Sequence, residues 1–382
     1  MSAGPAAKRI ALLLLWLAVC LEGSAFAGAA LLRSRGYFYR PHQDLSDYEA
    51  YLARRDELLG WITFDARDVV DASGSRPIPA FPDPARQPAC VSLFGDSFTW
   101  ADEVSDEEAW SNLLSKQLSC RVANYGVRAY GTDQAFLRFR ERQRGDPAGV
   151  VILAHLSENV VRNVSRDFDL LYGNTKYGLK PRFGLSASGE LELQPLPRWT
   201  REEFAQVNED PEAMLPGDVV LLPSFRFPYT LSLLRALQGP RLGTRLGVPY
   251  YARFYEPDHP SRALAITAEI LAAFCKEAQA RGQTPLVVLL PTHMDLARHR
   301  EEGTWTYQPL REELERSGTP FYDVGPPLAE VFDSDGEEAI FAPHHHYGAH
   351  GNAILARLVH EELARRAITP HRGSVSALEE SS

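Results

Sequence analysis

The 382-residue chain has four cysteines, and no two stand as Cys-x-x-Cys. That excludes the usual spacing of a zinc knuckle and of a thioredoxin-like redox pair. It also lacks any block of Lys or Arg, and its net charge is −10 with a pI of about 5.6. Without a cationic face to meet a phosphate backbone, nucleic acid is excluded as the main partner. No internal repeat and no long low-complexity tract is found. What is there is a chain 45% hydrophobic, enough to bury a full core.

Lys8 and Arg9 precede an apolar run from Ile10 to Leu21, then Glu22, Gly23, Ser24 and Ala25-Phe26-Ala27. A basic start, an apolar centre and an Ala-x-Ala site describe a cleaved secretory signal. Ile10–Leu32 is equally long enough to span a bilayer as an uncleaved anchor, with Arg33 and Arg35 at the exit. Glu22 counts against the anchor, because a carboxylate inside the membrane costs about 3 kcal/mol on insertion scales. Val19 makes Leu17-Ala18-Val19-Cys20 a poor lipoprotein box. Either way the remainder is expected outside the cytoplasm, and residues 1–36 form a signal or anchor.

An amphipathic helix is expected over Asp44–Leu59, within an N-terminal extension of residues 37–88. From residue 89, short apolar runs alternate with helical patterns. Strands are expected at Val91–Phe94, Val122–Tyr125, Gly149–Ala154, Leu286–Leu290 and Phe321–Val324. Helices are expected at Asp106–Leu118, Thr132–Arg144, Ala263–Ala280, Leu310–Arg316 and Gly351–Arg366. A segment of residues 174–262 interrupts the alternation, with a hairpin over Lys180–Leu196, a helix after Thr200 and an apolar helix around Phe227–Leu237. The pattern predicts an α/β fold: a five-stranded, doubly wound (flavodoxin-like) parallel sheet with helices on both faces, over residues 89–368. The tail, 369–382, reads as disordered.

The chemistry gathers at strand ends, where open α/β sheets hold it. Gly95-Asp96-Ser97 follows the first strand. A serine hydroxyl needs a base to take its proton and donors aimed at the oxyanion. Asn124-Tyr125-Gly126 follows the second strand, where Gly126 offers a backbone N–H. Ser157-Glu158-Asn159 follows the third, where Asn159 offers a side-chain amide. His344-His345-His346-Tyr347-Gly348-Ala349-His350-Gly351-Asn352 stands before the last helix.

These blocks resemble the SGNH (GDSL-type) hydrolases, over roughly residues 89–160 and 284–366, and in pattern a subgroup of bacterial membrane-attached SGNH proteins associated with surface polysaccharides. Phe94-Gly95-Asp96-Ser97-Phe98-Thr99 and His346-Tyr347-x-x-x-Gly351-Asn352 carry the resemblance most specifically. It implies Ser97 as nucleophile and His346 as base, with the Ser97 backbone, Gly126 and Asn159 as the oxyanion hole. The expected substrate is an acyl ester, often acetyl on a sugar, handled without cofactor or metal. Water as acceptor makes an esterase; a sugar hydroxyl makes an acyltransferase.

Two departures stand out. The third block reads Ser157-Glu158-Asn159-Val160 where the family has Gly-x-Asn-Asp. The acid normally two or three residues before the histidine is replaced by Pro343 and His344. That leaves a Ser–His dyad oriented by His344 or a backbone carbonyl, a carboxylate from Glu158, Asp258, Asp295 or Asp335, or a degenerate carbohydrate-binding protein. Among the remaining features, His293 and Asp295 follow the fourth strand and are candidates to line the pocket, or a satisfied loop pair. Three adjacent histidines raise metal binding, without a second cluster at ligand spacing. Cys90 and Cys120 begin neighbouring strands; a disulfide is conceivable in an oxidising compartment, two buried thiols being the commoner outcome. Asn163-Val164-Ser165 is a glycosylation sequon that matters only in a eukaryotic secretory pathway.

Overall fold

The computed structural model describes residues 5–370 apart from 40–47, 50–51, 54, 63–68, 143–147, 169–170, 172–177, 210, 216, 220–221 and 246. Five parallel strands form the central sheet: β1 (Val91–Phe94), β2 (Val122–Asn124), β3 (Val150–Leu156), β6 (Thr284–Leu290) and β7 (Phe321–Asp323). Their order is β2-β1-β3-β6-β7, every neighbour parallel. Every residue of β1, β2 and β3 is buried, as a parallel sheet covered on both faces requires. The expected fold class is therefore observed.

Helix α3 (Trp110–Leu118) and the last helix α11 (Ala349–Arg365) pack together. Helices α4 (Thr132–Arg142) and α7 (Ala263–Ala280) form another packed pair. The 174–262 segment adds an antiparallel hairpin, β4 (Arg182–Leu185) with β5 (Leu191–Gln194), and helix α6 (Tyr229–Gln238). The N-terminal run forms one continuous helix, α1 (Pro5–Ser34).

Three expectations are corrected. The helix expected over Asp44–Leu59 falls partly outside the described residues. Its end is instead a small antiparallel ladder, Arg55–Asp56 against Gly60–Trp61. Asp56 Oδ1 accepts from Leu58 N at 2.9 Å and Leu59 N at 2.7 Å, a side-chain-closed turn that diverts the backbone from helix. Second, two helices of ten residues or more were not anticipated: α8 (His293–Glu302) and α10 (Gly325–Asp335). A Thr292–Asp295 capping box starts α8 despite its polar sequence. In α10 the prolines after Gly325 fall in the first turn, where no N–H is needed. Third, Cys90 and Cys120 are bonded rather than two free thiols, with Cα atoms 6.1 Å apart. The tail expected to be disordered lies outside the described residues beyond 370.

The 174–262 segment is fastened to the core by a fully buried ion pair between Lys180 and Asp133 at the start of α4. Burial pushes the Asp133 carboxyl up and the Lys180 ammonium down, so each holds its charge through the other. Removing one partner strands the other charge. Lys180→Met is expected to cost about 3–5 kcal/mol in denaturant unfolding, with much of it recovered in Lys180→Met/Asp133→Leu. A double variant no better than the single would show that the pair is not coupled.

Candidate active site

The site is assembled at the carboxyl edge of the sheet from four chain segments. After β1 the chain turns into a single helical turn, α2 (Ser97–Trp100). Asp96 caps it, accepting Phe98 N at 2.9 Å. A Cβ on Gly95 would fall 1.9 Å from Thr99 Oγ1, so only glycine permits this tight strand-to-helix turn. Ser97 is the first helical residue, where the backbone N–H has no intrahelical acceptor. Its side chain is buried at the floor of the site.

His346 Nε2 lies 2.9 Å from Ser97 Oγ. The Phe98 ring rests on the imidazole at a centroid distance of 4.9 Å. The histidine loop is a tight turn in which Ala342 N donates to His346 O at 2.7 Å and Gly348 N to Ile340 O at 2.8 Å. Tyr347 OH ties it to Pro291 O, just past β6, at 2.8 Å. Asn352 Nδ2 donates to Tyr347 O at 2.7 Å, while its Oδ1 accepts Trp110 N at 3.1 Å. One amide thus joins the histidine loop, the first turn of α11 and the start of α3. Gly351 is required beside it, since a Cβ there would fall 2.2 Å from Ile340 O.

The carboxylate beside His346 is Glu103, which lies outside the four suggested by the sequence. Glu103 Oε2 lies 3.3 Å from His346 Nδ1, out of line for a hydrogen bond, since Nδ1 has no aligned acceptor. The same carboxylate accepts the backbone N–H of His344 at 3.2 Å and of His346 at 3.3 Å. Glu103 has φ +67° and Ala101 φ +64°, left-handed conformations that non-glycine residues seldom hold unless the surroundings fix them. Here Arg76 supplies the fixing. Its guanidinium donates to Trp100 O, to Ala101 O at 2.6 Å and to Val104 O at 2.7 Å, and pairs with Asp106 at 2.7 Å. The sequence signal was present in Ala101-Asp102-Glu103, an acidic pair one helical turn past the serine.

The four carboxylates proposed from sequence are occupied elsewhere or face solvent. Glu158 pairs with Arg162 and accepts Tyr250 OH at 3.0 Å. Asp295 is buried, accepting Thr292 N at 2.8 Å and the Ser157 hydroxyl. Asp258 and Asp335 are exposed. His344, expected to orient His346, points outward with its side chain 86% exposed, and its Nε2 is 4.0 Å from Glu103 Oε1. Its backbone N–H, not its ring, faces the site.

Asn159 opens the short helix α5 (Asn159–Arg162) and is buried. Its Nδ2 donates to Asp96 Oδ2 at 2.9 Å, which leaves the second amide hydrogen uncommitted by that bond. Gly126 sits differently from its expected place as an oxyanion donor. Its N–H donates to Asn124 Oδ1 at 3.0 Å, and a Cβ there would fall 2.5 Å from Trp100 N. Asn124 Nδ2 in turn donates to Thr99 O at 2.7 Å. Gly126 and Asn124 therefore buttress the back of α2. Tyrosines from the end of the 174–262 segment support the Asn159 loop: Tyr255 OH donates to Ser157 O at 2.6 Å, and Tyr251 OH meets Thr292 Oγ1 at 2.7 Å. Behind them His155, between Thr132 and Tyr255, has its pKa pushed down to about 3 by burial and stays neutral.

His293, His345 and Glu337 form a group with metal-ligand spacing. The two imidazoles are stacked at 3.9 Å and 17°, and His345 Nδ1 lies 3.1 Å from Glu337 Oε1.

No protein-family model matches the chain, and no curated protein matches it. Among solved structures, it is similar to a lipase/acylhydrolase from Enterococcus faecalis at 13% identity and TM-score 0.38, covering 74% of this chain and 98% of that one. It is similar to a member of the lipolytic protein G-D-S-L family from Veillonella parvula DSM 2008 at 12% and 0.38, covering 72% and 98%. A catalytic mutant of an acetylxylan esterase from Geobacillus stearothermophilus aligns at 12% and 0.36, covering 72% and 93%. Likeness at this level does not carry over what those proteins act on. The chemistry here rests on the geometry around Ser97.

Asn352→Ala would leave Trp110 N–H and Tyr347 C=O without their partner in a buried setting. The expected loss is about 2–4 kcal/mol of unfolding free energy in urea, from two stranded polar groups. A loss within the range of surface substitutions would mean that the loop is held by other contacts.

Proposed function

We propose that the protein is an SGNH-type serine hydrolase acting on acyl esters. The observation that carries this reading is the Ser97 Oγ to His346 Nε2 approach of 2.9 Å, with Glu103 beside Nδ1. Ser97 Oγ attacks the ester carbonyl carbon as His346 Nε2 takes the hydroxyl proton. The Ser97 N–H and the free Asn159 amide hydrogen receive the negative charge that develops on the carbonyl oxygen. The C–O bond to the alcohol breaks, the imidazolium returns its proton to the leaving oxygen, and an acyl-serine remains. Water, deprotonated by His346, then releases the acid and restores the serine.

Glu103 stabilises the imidazolium through proximity, in place of the acid absent before His346. Gly126 is assigned to holding α2 rather than to donating, since its N–H is spent on Asn124. An acetylated surface carbohydrate is the substrate we favour, in keeping with the sequence resemblance, and a sugar hydroxyl in place of water would make the same site an O-acyltransferase. The apolar α1 supports a location outside the cytoplasm in this reading. A carbohydrate-binding protein without turnover has less support, because the nucleophile and base are within hydrogen-bond reach.

The test is labelling by a fluorophosphonate probe together with hydrolysis of an aryl acetate. Ser97→Ala and His346→Ala should abolish both. Glu103→Gln should lower kcat/KM about 10²–10⁴-fold, as loss of the charge beside the base does in serine triads. Glu158→Gln and Asp335→Asn should stay within about threefold of the parent. Activity should survive EDTA. Well-folded protein that neither labels nor turns over would establish the binding role instead.

A further inference from the structure

We infer that α1 is retained and that α6 lies beside it in the lipid, the two forming one membrane seat. The first observation is the fate of Glu22. Its carboxylate accepts Tyr229 N at 2.6 Å, Thr230 N at 3.4 Å and the Thr230 hydroxyl. Glu22 is thus the N-terminal cap of a ten-residue helix from a segment two hundred residues away. The charge that argues against a membrane helix has its hydrogen-bonding capacity taken up by the unpaired N–H groups of α6.

The second observation is how the helices run. Glu22 meets Thr230, a Cβ on Gly28 would lie 3.3 Å from Leu233, and Ala29 is buried in one cluster with Ala236. The contacts advance in the same direction along both helices, which therefore lie parallel. Ala25 and Ala29 are buried at this face, small residues that let two helices approach closely.

The third observation is the surface left over. Leu231, Leu234 and Leu237 of α6 are 43–50% exposed, with Phe227 at its foot 69% exposed. They continue the exposed apolar surface of α1 that runs through Leu21, Phe26 and Leu31. The occupant this surface fits is a lipid acyl layer, because it is continuous with a helix of spanning length. At about 1.5 Å per residue, Glu22 stands roughly 18 Å along from Ile10. That is about 12 Å short of the far side of a hydrocarbon core about 30 Å thick. The ten residues of α6 cover that remaining distance, so the segment enters one leaflet and returns.

A cleaved signal is incompatible with this arrangement. Ala25-Phe26-Ala27 lies inside a continuous helix, and the Phe26 ring packs on Tyr229 at 4.9 Å. Beyond it, Tyr37, Phe38 and Tyr39 are buried, and Tyr39 N donates to Pro223 O at 3.1 Å. Cleavage would remove the cap of α6 and expose its packed face. This inference does not depend on the hydrolase reading.

The experiment uses full-length protein in phosphatidylcholine–phosphatidylglycerol vesicles. With Cys20→Ser, Cys275 is buried and Cys90–Cys120 bonded, so a thiol placed by Leu234→Cys takes one environment-sensitive fluorophore. Nitroxide-bearing acyl chains should quench it several-fold more than the same label at Glu190→Cys, with aqueous iodide showing the reverse. Adding Glu22→Leu should leave the protein in the membrane pellet while quenching at 234 falls toward that at 190. Iodide quenching at 234 equal to that at 190 would overturn the inference. So would shielding from both quenchers, which would indicate a covering protein. N-terminal sequencing of membrane-expressed protein that begins after Ala27, or quenching at 234 indifferent to Glu22→Leu, would overturn it as well.

Discussion

The arrangement at the sheet edge depends on one buried carboxylate. Asp96 caps the turn that carries Ser97 and, through its other oxygen, holds the Asn159 amide. A single side chain therefore sets both the angle at which Ser97 leaves β1 and the place of the Asn159 amide. Arg162 approaches the same oxygen at 3.7 Å, so the charge is balanced without consuming either hydrogen bond. The carboxylate is acceptor-only when ionised, which also fixes the orientation of the Asn159 amide.

Around that centre, distant parts of the chain contribute to position rather than to chemistry. Arg76, from the N-terminal extension, gathers the carbonyls of the loop that presents Glu103. Tyr251 and Tyr255, from the end of the 174–262 segment, hold Ser157 and Thr292. Burial raises both phenols well above their ordinary range, so they remain donors. These side chains lie outside the segments that carry the motif. They explain why a chain with only short matching blocks still brings serine and histidine together.

The five strands were legible because each is a short run dominated by apolar residues, and buried parallel sheets favour that composition. The segments that carry Ser97, His346 and Asn159 were legible because a strand end or loop followed by a helix is a local pattern. Glu103 was not: its approach to His346 depends on two left-handed residues and on Arg76, none of which has a sequence period. Where the Gly126 N–H is bonded was not legible for a related reason. A glycine near a serine reads as a close backbone approach, and sequence does not say whether that approach serves a substrate or the neighbouring helix. Helix α10 was hidden by prolines whose position in the first turn, not their number, decides their effect. The Asp44–Leu59 stripe was helical in period but lost its end to a local aspartate turn.

The Cys90–Cys120 bond closes a loop spanning thirty positions. Within it lie Ser97, Asp96 and Glu103; His346 lies outside. Cross-linking a loop of that length removes denatured-chain entropy worth about 3.6 kcal/mol by the chain-entropy relation. Before the thiols are oxidised, the segment that carries Ser97 and Glu103 lacks that support, and the histidine loop is anchored to the same segment through Asn352 to Trp110 and through Glu103. The bond thus links the stability of the candidate site to the redox state of the compartment in which the chain folds.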